Sequence, residues 1–117
     1  MQAVDSDTYL QALLSAPRPG ADKFLAFYDH RVGCIGTDPR LLLLPLDDHI
    51  CHRGDGLFES ICYRERKIFV LDEHLARMRD GAQALDITPP CSWEEMRARI
   101  LDAVSYTHLR AHETRSN

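Results

Sequence analysis

His52-Arg53-Gly54-Asp55-Gly56-Leu57-Phe58-Glu59, followed downstream by Glu73-His74-Leu75-Ala76-Arg77-Met78, decides how this chain folds. Two glycines flank Asp55. Freed of a Cβ, they allow a tight turn and let a ligand or another backbone come close. Beyond the turn, Leu57 to Tyr63 alternates as a strand does. Phe58, Ser60 and Cys62 form one row; Leu57, Glu59, Ile61 and Tyr63 form the other. Arg64-Glu65-Arg66 reads as a polar turn and Lys67 to Leu71 as the returning strand. Asp72 is then placed to cap a helix whose Leu71, Leu75, Met78, Ala82 and Leu85 fall within one arc.

Outward from this centre, the pattern is a mixture of short strands and helices. Asp5 or Ser6 can cap a first helix bearing Tyr9, Leu10, Leu13 and Leu14 on one face, ended by Pro17-Arg18-Pro19-Gly20. Phe24 to Tyr28 reads as a strand, with a second around Cys34 to Gly36. Thr37-Asp38-Pro39-Arg40 is turn chemistry, and Leu41 to Leu44 reads as a buried strand closed by Pro45. Thr88-Pro89-Pro90 breaks the helix that starts near Asp72. Ser92 with Glu95 makes a capping box for a last helix, whose stripe is Trp93, Met96, Ile100, Leu101 and Val104. The fold class expected is α+β, with antiparallel strands and two or three helices.

Composition narrows the function. The chain has 117 residues, 44% apolar and 27% charged, with a net charge of −4. That is an ordinary globular balance, and it points to neither nucleic acid nor an anionic membrane. No apolar run approaches the roughly 20 residues that span a bilayer. Met1-Gln2-Ala3-Val4-Asp5 lacks the layout of a secretory signal, and the four cysteines (Cys34, Cys51, Cys62, Cys91) form no Cys-x-x-Cys pair. Reduced thiols in the cytoplasm are expected; a lost upstream transit peptide leaves an organelle open.

Arg77 shares a helix shoulder with His74 and Gly81, bordering the apolar arc. A forked, permanently charged donor at the edge of a core suits a phosphate. Composition alone would favour a surface arginine with a buried stem. Asp47, Asp48, His49, Cys51 and His52 crowd together, but their spacing fits no standard zinc pattern, and no metal is expected. His108 and His112 lie four apart without a carboxylate-rich partner. Arg53-Gly54-Asp55 spells an integrin-binding tripeptide, which would require an extracellular, exposed loop.

The two opening segments, at this spacing, resemble the N-terminal region of class IV (fold-type IV) pyridoxal-phosphate-dependent aminotransferases. The likeness covers roughly Phe24 to Asp102. It implies that residues 1–104 are the small N-terminal domain of a two-domain enzyme. The complete enzyme would move an amino group between an amino acid and a 2-oxo acid, of branched-chain or D-amino-acid type, as a homodimer. Aminodeoxychorismate lyase, of the same fold, is the alternative, and a piece without catalysis of its own is another. In this family the arginine of a His-x-x-Arg-Leu segment binds the cofactor phosphate; here that is Arg77, with Met78 in place of leucine. The aromatic of the Phe-Glu pair faces the substrate, which assigns Phe58 to the pocket, although plain core packing is an equal reading of it. The lysine to which the cofactor is bonded lies in the family's second domain. Lys23, which precedes the first strand, and Lys67, which starts the hairpin return, are the only lysines here and neither matches that position, so no catalytic residue is assigned within this chain. Residues 105–117 continue no apolar stripe and resemble peptide translated from a sequencing adapter, so they are set apart as a non-native tail.

Overall fold

The computed structural model describes the backbone of residues 1–116 and the side chains of residues 1–109 and of Ala111. The chain is α+β, with four helices and two two-stranded antiparallel sheets among the described residues. Two compact units divide it, one covering Met1–Leu43 and the other starting at Leu44.

In the first unit, α1 (Ser6–Ser15) starts where Asp5 accepts a hydrogen bond from the Thr8 backbone N–H at 2.8 Å. A hairpin follows, β1 (Phe27–Asp29) against β2 (Cys34–Gly36), with Tyr28 opposite Ile35. Its loop is held by Asp29, whose carboxylate takes both the Arg31 backbone N–H and the Arg31 guanidinium. Leu41 to Leu44, read above as a buried strand, is neither strand nor buried: the four leucines are 36–55% exposed. Pro39–Leu41 instead closes a 3-10 turn, started by Asp38, which accepts from the Arg40 backbone N–H. With the turn in place and the only sheet of this unit two strands wide, the leucines have no ladder to join.

The second unit opens on α2 (His49–His52), a single turn capped by Asp48. The glycine-flanked loop then leads to a hairpin of β3 (Tyr63–Arg64) and β4 (Lys67–Ile68). Its connection is Glu65-Arg66, both at positive φ, 53° and 64°. Two left-handed residues match the right-handed twist of the flanking strands. The ladder is much shorter than the strands expected, because only Tyr63 and Arg64 of the first strand are paired, extended by the Phe69 N–H donating to the Cys62 carbonyl at 2.9 Å. The alternation itself holds: Leu57, Glu59, Ile61 and Tyr63 are half-buried while Phe58, Ser60 and Cys62 are exposed.

Helix α3 (Leu71–Ala84) begins one residue before the expected cap. Val70 sits at its N-terminus in the left-handed region, and Asp72 falls inside the first turn. There its charge complements the helix dipole and takes a hydrogen bond from Arg97 Nε of the last helix, 2.8 Å away. Leu71, Leu75 and Ala82 are the buried apolar residues among those described; Met78 is half-buried and Leu85 exposed. The helix stops before the prolines. Asp86 turns left-handed at φ 56°, its N–H reaches the Gln83 carbonyl, and the Ile87 N–H reaches the Ala82 carbonyl at 2.8 Å. That is a Schellman termination with aspartate where glycine is usual.

Helix α4 (Trp93–Ser116) is started by Ser92, whose Oγ accepts from the Glu95 backbone N–H at 3.1 Å. Trp93, Met96, Ile100 and Val104 are half-buried as its stripe requires, while Leu101 is more exposed. The helix passes through Val104 without a break. Among the described residues, no helix is long and apolar enough to cross a membrane.

Candidate functional site

Three side chains converge where the alternating segment crosses α3. Glu59 points inward with Leu57 and Ile61, as the period of two dictates. His74 and Arg77 stand three positions apart on α3 and therefore share one shoulder. Arg77 Nε donates to Glu59 Oε1 at 2.8 Å, and Arg77 Nη2 donates to Oε2 at 2.7 Å. This is the two-pronged guanidinium–carboxylate geometry. His74 Nδ1 lies 2.5 Å from Oε2. Two acceptors would repel at that separation, so Nδ1 carries the proton and donates it. Its 3.1 Å approach to Arg77 Nη2 is then a contact between two donors, not a hydrogen bond.

Burial divides the group. The side chains of Glu59 and His74 are 13% and 15% exposed, whereas that of Arg77 is 69% exposed. The guanidinium is thus fixed along one edge and open along the other. Electrostatics agree with the geometry: the Arg77 guanidinium, and after it the His74 ring, hold the Glu59 carboxyl down at about 2. Glu59 in turn raises the arginine above its already high value. The group is a carboxylate and a guanidinium that stay ionised at any ordinary pH.

Glycines shape the surroundings at two places. A Cβ at Gly81 would lie 3.0 Å from Leu57 Cδ2, so what comes close there is the leucine next in line to Phe58. Gly56 packs against the Ile50 side chain in the same way, and Gly54 takes φ 72° to turn the chain between them.

Of the residues singled out from sequence, Arg77 stands in this group and Phe58 does not. Phe58 is 85% exposed, on the opposite row from Glu59. The residue sequence reading passed over is Glu59. The signal for it was present, since a carboxylate in an inward row needs a cation to meet it. Two open depressions flank α3: one of about 240 Å³ where Asp72, Ala76 and Arg79 face Trp93 and Arg97 of α4, and one of about 480 Å³ where Ile68, Val70 and Leu71 at the start of the helix meet Arg97 and Leu101. They are separate from the Glu59 group. No set of three or more His, Cys, Asp or Glu side chains is arranged to hold a metal among the described residues. His108 packs edge-on against Tyr63 at 6.3 Å, and the His112 side chain lies outside the described residues. The four cysteines form no disulfide.

Comparison with known proteins gives the group its context. The chain is 36% identical over 91 residues to D-amino-acid transaminase, chloroplastic, of Arabidopsis thaliana, covering 78% of this chain and 24% of that protein. It is 38% identical over 63 residues to the putative branched-chain-amino-acid aminotransferase of Methanocaldococcus jannaschii, covering 54% of this chain and 22% of that one. It is 35% identical over 52 residues to the bifunctional aminodeoxychorismate lyase / D-amino acid transaminase of Mycobacterium tuberculosis, 44% of this chain and 18% of that one. The chain therefore spans a quarter or less of the length of these relatives. No solved structure matches it. The pattern of the amino-transferase class IV family matches residues 56–116, from the second glycine of the turn onward, and the chain belongs to that family.

Proposed function

We propose that this chain supplies the phosphate-anchoring part of a pyridoxal-phosphate-dependent aminotransferase that moves an amino group between an amino acid and a 2-oxo acid. One observation carries the reading. Arg77 is held by Glu59 on its Nε side, and its outward fork of N–H groups meets no partner among the described residues. An arginine fixed on one edge and open on the other fits the oxygen face of a phosphate, which takes paired N–H donors. When bound, pyridoxal phosphate would supply the electron sink for breaking a bond at the substrate's α-carbon. The residues of this chain would bind and orient its phosphate end, and Phe58, exposed beside the turn, would border the substrate's side chain.

The remainder of the machinery is assigned to the parent protein, of which residues 1–104 would be the small N-terminal domain and 105–117 a non-native tail. By itself the chain would have no catalysis, because neither Lys23, in a 3-10 turn, nor Lys67, on β4, matches the position of the family's cofactor-bonded lysine. The complete enzyme is assigned to the cytoplasm as a homodimer of branched-chain or D-amino-acid type. A lyase reading has one specific support, the relative whose name carries both activities. Recovery and expression of the intact gene tests the reading. Amino transfer from at least one L- or D-amino acid to a 2-oxo acid is expected. Absence of a cofactor-bonded lysine in the later half, or release of pyruvate without transfer, would overturn it.

A further inference from the structure

The geometry points to Glu59 as a positioning residue for the phosphate anchor: its carboxylate locks the guanidinium of Arg77 so that the outward fork is aimed before any phosphate arrives. This rests on the phosphate reading of Arg77. Three observations carry it. Both Glu59 oxygens are spent on Arg77, at 2.8 and 2.7 Å, and one of them also takes the His74 Nδ1 proton. Glu59 and His74 are mostly covered while Arg77 is largely open, so the holding edge is sheltered and the presenting edge faces solvent. Glu59 also sits directly after Phe58 on an alternating segment, while Leu57 closes against Gly81 one turn beyond Arg77. The segment that presents Phe58 is thereby tied at two points to the shoulder that presents Arg77.

Two opposed effects follow from a carboxylate beside an anion anchor. Its charge repels the phosphate. Its hydrogen bonds remove the rotamer freedom that an arginine otherwise loses on binding. The repulsion acts across the exposed side of Arg77, where water and salt screen it. The orientation is local and unscreened, so orientation wins. The sign of the Glu59→Gln effect therefore decides the matter.

The test is a double-mutant cycle on the full-length parent, read by NMR titration with pyridoxine 5'-phosphate, a phosphate monoester without an aldehyde for lysine to capture. Glu59→Gln keeps the shape and removes the charge. It is expected to weaken binding roughly two- to tenfold, the loss that follows when one rotamer-rich side chain must be ordered on binding, and to leave the Arg77 Nε–H signal averaged with that of exposed arginines. In an Arg77→Ala background the same change is expected to do nothing, since Glu59 acts through Arg77. Equal or tighter binding by Glu59→Gln, or an equal loss in both backgrounds, would overturn the inference while leaving Arg77 as anchor. If Arg77→Ala alone changes nothing, or the unaltered parent does not bind the ester, the phosphate reading fails and takes this inference with it. Should Glu59→Gln fail to fold, Arg77→Lys keeps the charge and loses the fork, and affinity equal to the unaltered parent would overturn the inference as well.

Discussion

Glu59 and Arg77, eighteen positions apart, meet through two hydrogen bonds of 2.8 and 2.7 Å that join the alternating segment to the shoulder of α3. The pair makes a local fold out of elements that are individually weak. The neighbouring ladder is two residues long, and the buried apolar residues described are three. An ion pair that is covered on one side matters more in such a setting than in a large core.

Stability should therefore depend on pH in a stated window. The Glu59 carboxyl is held at about 2, below its ordinary 4.5, chiefly by Arg77 and next by His74. A depressed carboxyl contributes stability that is complete above its unfolded value and is lost as pH falls through its folded one. The difference in urea midpoint between the unaltered chain and Glu59→Gln should hold from neutral pH to about 4.5 and shrink between there and about 2. A difference that does not vary with pH would contradict the pairing.

Val70 offers a gain. It occupies φ 45° and ψ 45°, where a β-branched side chain is crowded, and it is half exposed. Left-handed backbone costs an L-residue about 1–2 kcal/mol, and glycine returns part of that as lost chain entropy. Val70→Gly should raise stability by about 0.5–1 kcal/mol in thermal unfolding. A fall in melting temperature would show that α3 begins otherwise.

Exposed apolar surface sets the behaviour of the isolated chain. Leu46 is 87% exposed and Phe58 nearly as much, with Leu41 to Leu44 beside the turn at Pro39 also open. Surface of this kind is ordinarily covered in the complete protein. The purified chain should bind a hydrophobic dye and aggregate as its concentration rises. A monomeric chain with no dye binding would contradict this.

Much of this arrangement was legible in the sequence, and the failures have physical causes. The polar turn at Arg64-Glu65-Arg66, the Ser92 cap, the α3 arc from Leu71 to Ala82 without Leu85, and the inward row of Leu57, Glu59, Ile61 and Tyr63 follow from short-range rules, and they are found. Leu41 to Leu44 was misread because four leucines carry no periodicity, and the Asp38 cap that starts a turn there competes with a strand. The end of α3 was misplaced because Asp86, not glycine, takes the left-handed position. Arg77 stands out in the sequence through the family resemblance, its shoulder alone fitting a surface arginine equally. Its partner does not, because alternation gives the side on which Glu59 lies but not the residue it meets.

Covalent chemistry offers a separate check. With Lys23 in a 3-10 turn and Lys67 on β4, neither at the position of the family's cofactor-bonded lysine, incubation with pyridoxal 5'-phosphate and borohydride should label this chain weakly and without preference. Stoichiometric attachment at one lysine, seen by mass spectrometry, would contradict the reading of the chain as inactive alone.

The most direct measurement is the affinity of the full-length parent for pyridoxal 5'-phosphate, compared with that of its Arg77→Ala variant. Loss of a charge-assisted contact should weaken binding roughly 10- to 100-fold, while the affinity for pyridoxal, which lacks the phosphate, stays as it was. Unchanged affinity for the phosphorylated form would contradict the assignment of Arg77 as the anchor.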